Sequence, residues 1–91
     1  MRLRSLKQIV EAVQSLLQPR RIIVLGSSAL LAADPDLGEP GNVLEVSLDA
    51  DLLVEPFDKG KAAIADEAIG EDSLFHKEYG VYADLMKPGI A

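Results

Sequence analysis

Residues 22–28 read Ile-Ile-Val-Leu-Gly-Ser-Ser, and residues 47–54 read Ser-Leu-Asp-Ala-Asp-Leu-Leu-Val. The first stretch is an aliphatic run without polar alternation that ends at a glycine, which is typical of a strand buried on both faces. In the second stretch Asp49 and Asp51 are two residues apart, so in a strand they point to the same face. The two stretches predict two strands of one sheet, one of which carries a pair of carboxylates.

The segment before the first stretch predicts an amphipathic helix over residues 5–18. Ser5 and Gln8 form a capping-box pattern at its start, and Pro19 ends it. Apolar residues recur along it at helical spacing, at Leu6, Ile9, Val10, Val13, Leu16 and Leu17.

The pattern downstream continues to alternate between helix and strand. Ser27 and Ser28 are predicted to cap a short helix over residues 29–33. The later elements are a loop over 34–42, a strand over 43–54, a helix between the cap Asp58 and the stop Gly70, a polar connection, and a strand over 81–86. The order α-β-α-β-α-β predicts an α/β (α+β) fold, a small mixed sheet with packed helices, in one domain spanning residues 1–91.

Composition limits the classes of protein to which the chain can belong. Its 91 residues make one modest domain, and the absence of cysteine excludes disulfides and thiolate metal sites. No apolar run approaches the roughly 20 residues that span a bilayer, and the N-terminus lacks the apolar stretch of a signal peptide. We therefore expect a cytoplasmic protein with no membrane partner.

Charge is unevenly distributed within the net charge of −6. Residues 1–21 have a balance of +4, whereas residues 34–72 carry twelve carboxylates against two lysines. An acidic segment repels phosphate backbones and attracts cations, so a broad nucleic-acid surface is disfavoured. The alternative is that most of these acids are solvated residues of loops and helix ends.

Two features together could carry chemistry. Gly26 and Ser27 lie at a strand-to-helix turn, where unpaired backbone N–H groups can receive a phosphate. Asp49 and Asp51 can chelate a hard divalent cation through oxygen, and Asp84 is the candidate for a third carboxylate from a neighbouring strand. Phosphoryl transfer needs both a phosphate cradle and metal ions that neutralise the developing charge.

The chain resembles the nucleotidyltransferase superfamily in these motifs, and within it the small bacterial nucleotidyltransferase-like proteins, some of which are antitoxin-like. The resemblance covers roughly residues 22–84. It rests on three stretches: Gly26-Ser27-Ser28-Ala29-Leu30-Leu31, Ser47-x-Asp49-Ala50-Asp51, and Phe75-His76-x-x-Tyr79-Gly80-x-Tyr82-Ala83-Asp84.

By this resemblance, Ser27 contacts triphosphate oxygens, Asp49 and Asp51 hold Mg²⁺, and Asp84 assists catalysis as a further ligand or as a base. The implied activity is magnesium-dependent transfer of a nucleotidyl group from a nucleoside triphosphate such as ATP to an acceptor, either protein or RNA. Members of this kind usually continue into a further, partly helical half, so we expect the chain to be an N-terminal piece of a longer protein.

Other readings stay open at this point. No lysine or arginine follows Ser27 in the predicted helix, which is compatible with a catalytically degenerate binding module or an antitoxin-like protein acting through a protein partner. An exposed apolar strand edge could instead drive homo-oligomer formation. The single histidine, His76, is expected to have a structural role, and Tyr79 and Tyr82 are expected to pack rather than stack on bases.

Overall fold

Helices and strands alternate along the chain in the computed structural model, which describes residues 1–42, 44 and 47–88. Their bounds are α1 Leu3–Leu17, β1 Arg21–Leu25, α2 Gly26–Ala33, a 3₁₀ turn Pro35–Gly38, β2 Asp49–Glu55, α3 Lys59–Ile69, α4 Leu74–Tyr79 and β3 Tyr82–Leu85. The mixed α/β fold and the element order predicted from the sequence are thus confirmed, with one additional short helix.

The three strands form a mixed sheet with the order β1-β2-β3. β1 runs antiparallel to β2, with Leu25 opposite Asp51, and β2 runs parallel to β3, with Asp51 opposite Asp84. The parallel pair is connected through α3 and α4, as a parallel crossover requires. The C-terminal end of β1 therefore meets the first residues of β2.

The core lies between one face of the sheet and the helices. Alternate β2 residues are buried there: Ala50, Leu52 and Val54 are at most 3% exposed. The apolar face of α1 packs against them, together with Leu31 of α2 and Ile69 of α3. The other β2 residues, which include both aspartates, lie on the opposite face of the sheet and are half-buried.

β2 is shorter than the predicted strand over 43–54. Leu44 lies in a turn, Ser47 and Leu48 precede the strand, and the remaining residues of 43–46 lie outside the described residues. β2 starts where its partner strands are. On one side the last residue of β1, Leu25, pairs with Asp51, and on the other side the first residue of β3, Tyr82, pairs with Asp49.

Three helical predictions are corrected by the structure. α1 begins at Leu3 with Arg2 at its N-cap position, so Ser5 and Gln8 lie inside the helix and form no capping box. α2 begins at Gly26 instead of Ala29, and neither serine caps it, because its N-cap position is Leu25. The predicted polar connection contains α4, whose N-cap Ser73 accepts a hydrogen bond from the His76 N–H.

Within the described part of the chain, no helix has the length and apolar character needed to cross a membrane. The prediction that the protein continues beyond Ala91 stays a prediction.

Candidate functional site

Three carboxylates converge on the open face of the sheet. Asp49, Asp51 and Asp84 each offer one oxygen, and these oxygens all lie within 4.8 Å of one another. Oxygen atoms at such separations can share one hard divalent cation, and carboxylate is the ligand type that Mg²⁺ prefers in proteins. The donor set therefore fits a magnesium ion, although exposed acidic groups also occur without a metal.

The strand register creates this convergence. Asp49 and Asp51 share a face because they are two residues apart in β2. Asp84 is the registered neighbour of Asp51 on the parallel strand β3, so its side chain points to the same face. Asp49 and Asp51 are half-buried and Asp84 is exposed, so the cluster opens to solvent at the β3 side.

The surroundings of Asp51 disfavour the ionised form of its carboxyl group. Partial burial raises the pKa of its carboxyl above the usual 3.8, and repulsion from Asp49 raises it further. A hydrogen bond shared with Asp49 and the charge of Asp84 act in the same direction. A divalent cation would relieve this repulsion, because it replaces the like-charge contacts with attractive ones.

The backbone of Gly26 lies close to the carboxylate of Asp51. Its φ of +59° lies in the left-handed region, which a glycine adopts without the steric cost of a Cβ. A Cβ at this position would lie 3.0 Å from Asp51 Oδ2. The backbone at the start of α2 therefore approaches the carboxylate cluster more closely than a residue with a side chain would allow.

The N-terminus of α2 is held beside the cluster by two serines. Ser28 is 3% exposed, and its hydroxyl donates to the carbonyl oxygen of Asp49 over 3.4 Å. The Ser27 hydroxyl lies 3.4 Å from that of Ser47. Because Leu25 at the N-cap position provides no capping side chain, the first N–H groups of α2 keep their capacity to bind an anion.

Tyr82 borders the cluster on the β3 side. It is the registered neighbour of Asp49, and its ring lies against that of His76 with 4.6 Å between the ring centroids. Its hydroxyl donates to Glu71 Oε2 over 3.4 Å. Burial and the Glu71 carboxylate raise the pKa of Tyr82, and the charges of Asp49 and Asp84 contribute to the shift.

The structure thus brings together all the residues that the sequence suggested for the site: Gly26, Ser27, Asp49, Asp51 and Asp84. Sequence reasoning missed Ser47, although it stands two residues before Asp49 in the quoted motif, and it gave Tyr82 only a packing role. His76 has the structural contacts expected of it, since its Nδ1 accepts the Asp72 N–H over 2.9 Å.

Comparisons with protein-family models, with curated proteins and with solved structures give no match for this chain.

Proposed function

We propose that this protein is a magnesium-dependent nucleotidyltransferase, which moves a nucleotidyl group from a nucleoside triphosphate to a protein or RNA acceptor. The observation that carries the proposal is the placement of three carboxylates within 4.8 Å of one another, beside the uncapped N-terminus of α2. Such a pairing supplies cation ligands and a phosphate cradle at one place. The family resemblance of the sequence motifs points to the same chemistry.

Nucleotidyl transfer forms a bond between an acceptor oxygen and the α-phosphorus, and breaks the bond from that phosphorus to the departing pyrophosphate. Mg²⁺ supplies neutralisation of the charge that develops on the phosphate oxygens. Asp49 and Asp51 would hold the cation, and the N–H groups at Gly26 and Ser27 would bind phosphate oxygens. Asp84, the exposed member, would either complete the ligand set or accept the proton of the acceptor hydroxyl.

The cellular location belongs to the same proposal. A protein that uses nucleoside triphosphates and contains no cysteine suits the reducing cytoplasm.

A binding module is the second candidate, and the composition of α2 favours it. The helix reads Gly-Ser-Ser-Ala-Leu-Leu-Ala-Ala, so it provides no cation to meet the triphosphate that its N-terminus would receive. In this reading the fold has lost catalysis and acts through a partner protein, as an antitoxin-like protein would.

Calorimetric titration of Mg²⁺-ATP separates the two functions. We expect wild-type protein to bind the complex, and the Asp49→Asn/Asp51→Asn variant to lose at least about 100-fold in affinity, because a neutral amide is a poor magnesium ligand. The control Asp66→Asn/Glu67→Gln removes two charges from exposed positions of α3 and should bind like wild type.

Binding that survives in the Asp49→Asn/Asp51→Asn variant would contradict the assignment of the metal ligands. No heat with wild-type protein, while its thermal unfolding shows it folded, would favour the binding module.

A further inference from the structure

The free edge of β1 has few of the features that protect edge strands. In the described part of the chain β1 borders the sheet, and its residues after Arg21 are Ile22, Ile23, Val24 and Leu25. Natural edge strands usually carry charges or proline that prevent pairing with another chain. The opposite edge strand, β3, has the exposed Asp84 in its middle. β1 is therefore the edge that is suited to pairing.

An apolar groove of about 440 Å³ is lined by residues of α1, by Ala32 of α2 and by Val24 of the edge strand β1. Lys7 and Glu11 are its charged lining residues. They are four residues apart and so lie on one face of α1. Their opposite charges make the rim self-complementary: if a second α1 lies antiparallel across the groove, each lysine meets the other copy's glutamate.

We propose that two copies of this chain pair through β1 about a two-fold axis perpendicular to the sheet. Antiparallel pairing of all five residues places the axis at Ile23 and sets Arg21 of each copy opposite Leu25 of the other. The two sheets then form one six-stranded sheet, with both α1 helices on the same side. The charge complementarity of Lys7 and Glu11 selects this arrangement over one in which the helices lie on opposite faces.

The pairing completes the carboxylate site, and this step rests on the proposed function. Leu25 is the registered neighbour of Asp51, so the partner's Arg21 joins the row that contains Asp51 and Asp84. The Cα atom of this arginine lies two strand spacings, about 10 Å, from the Cα atom of Asp51. An extended arginine side chain covers most of that distance.

Within one chain Arg21 lies about 14 Å from Asp51, at the far end of β1, and its Nη2 contacts Glu55 Oε2 at 2.7 Å. The partner copy therefore provides the cation that α2 lacks, at the place where a triphosphate would lie.

The first test is the mass in solution by light scattering after size-exclusion chromatography, at about 100 µM chain. We expect wild-type protein at twice the chain mass of 9.8 kDa. Ile23→Lys should bring the mass to that of one chain, because two lysines would oppose each other at the axis. Leu53→Lys is the matched control, since Leu53 is the half-buried neighbour of Ile23 on the same face but lies on the central strand.

The charges at the groove give a test that leaves the strands unchanged. Lys7→Glu should raise the dimer dissociation constant about tenfold or more, and Lys7→Glu/Glu11→Lys should restore it because the two charges are exchanged. A wild-type monomer, a dimer unaffected by Ile23→Lys, or a double variant no better than Lys7→Glu would overturn the proposal.

The absence of native cysteine allows the register to be tested without nucleotide. Ile23→Cys should form a disulfide between copies under mild oxidation, because opposed strand residues lie within disulfide range. A mixture of Arg21→Cys and Leu25→Cys chains should cross-link in the same way, whereas Leu53→Cys should not. Absence of the Arg21–Leu25 cross-link would overturn the placement of the partner's Arg21.

Mixed variants test the shared site itself. Arg21→Gln and Asp51→Asn should each weaken Mg²⁺-ATP binding at least about tenfold. An equimolar mixture should regain about one quarter of the wild-type sites, because half of the dimers are mixed and each has one intact site. Failure to regain them would overturn sharing. If wild-type protein forms the dimer and the cross-links but binds no Mg²⁺-ATP by calorimetry, the pairing stands and the proposed nucleotidyl transfer is refuted.

Discussion

Replacing Asp51 with asparagine should stabilise the protein at neutral pH, although it damages the proposed site. The ionised side chain lies within 4.8 Å of two other carboxylates. At that distance each repulsion costs about 0.9 kcal/mol even at the dielectric constant of water, and salt at 0.15 M reduces it by about half. The Asp51→Asn variant removes both repulsions and keeps a donor for Asp49. We therefore expect its free energy of unfolding to exceed that of wild type by about 1–2 kcal/mol.

The pH dependence of this gain follows from the raised pKa of Asp51. Between its usual value of 3.8 and the higher folded value, the native state binds more protons than the unfolded state, so wild-type stability falls as the pH rises through that window. Asparagine does not titrate. The advantage of the variant should thus be fully present above the folded pKa and vanish as the pH falls toward 3.8.

Urea unfolding from pH 4 to pH 7 measures the difference, and Asp66→Asn on the exposed face of α3 is the control. Adding Mg²⁺ should then raise the melting temperature of wild type and leave that of Asp51→Asn unchanged. A variant that is less stable than wild type at pH 7, or a difference that does not change with pH, would refute the reasoning that the three carboxylates repel one another.

Three further substitutions test other parts of the structure by thermal or urea unfolding. Gly26→Ala should cost about 1 kcal/mol or more and weaken the Mg²⁺ response, because it requires φ near +59° and a Cβ against Asp51 Oδ2; normal stability would contradict the described turn. Leu52→Ala should cost about 2–5 kcal/mol, since its side chain is fully buried, whereas Leu48→Ala, at a position 50% exposed, should cost much less; equal losses would place the core elsewhere. Asp58→Ala should cost about 1 kcal/mol by removing the acceptor of the Lys61 N–H at the start of α3, and Asp58→Asn should recover most of it.

Elements with a strong local pattern could be predicted from the sequence. The apolar stripe of α1 encodes both its helix and its buried face, because the burial it needs is visible in its residue spacing. The aliphatic run of β1 forms the predicted strand, but the prediction that it is buried on both faces is wrong, since β1 borders the sheet and none of its residues is fully buried. α4 was missed because six residues are too short to show a period. Its signals in the sequence were Ser73, which caps its start, and Gly80, which ends it in the left-handed conformation.

The site depended on information that no single segment contains. Asp49 and Asp51 could be placed on one face from their spacing alone, but the position of Asp84 beside them requires β3 to run parallel to β2 in one particular register. The approach of Gly26 to Asp51 likewise depends on α2 starting at Gly26, three residues earlier than the serine caps at residues 27 and 28 suggest. Tertiary pairing, which local sequence does not encode, made these contacts.

The alternation of β2 bears on how this protein can change in length over time. In the seven residues of β2, every second side chain faces the hydrophobic core, and the side chains between them face the carboxylate site. Insertion or deletion of a single residue inside β2 would move the following side chains to the opposite face of the sheet, so that carboxylates would face the helices and apolar side chains would face solvent. Residues 39–42, which follow the 3₁₀ turn Pro35–Gly38, are exposed and belong to no strand, so an insertion there has no such effect. We therefore expect length variation among descendants of this gene to accumulate between α2 and β2, while β2 itself stays fixed in length.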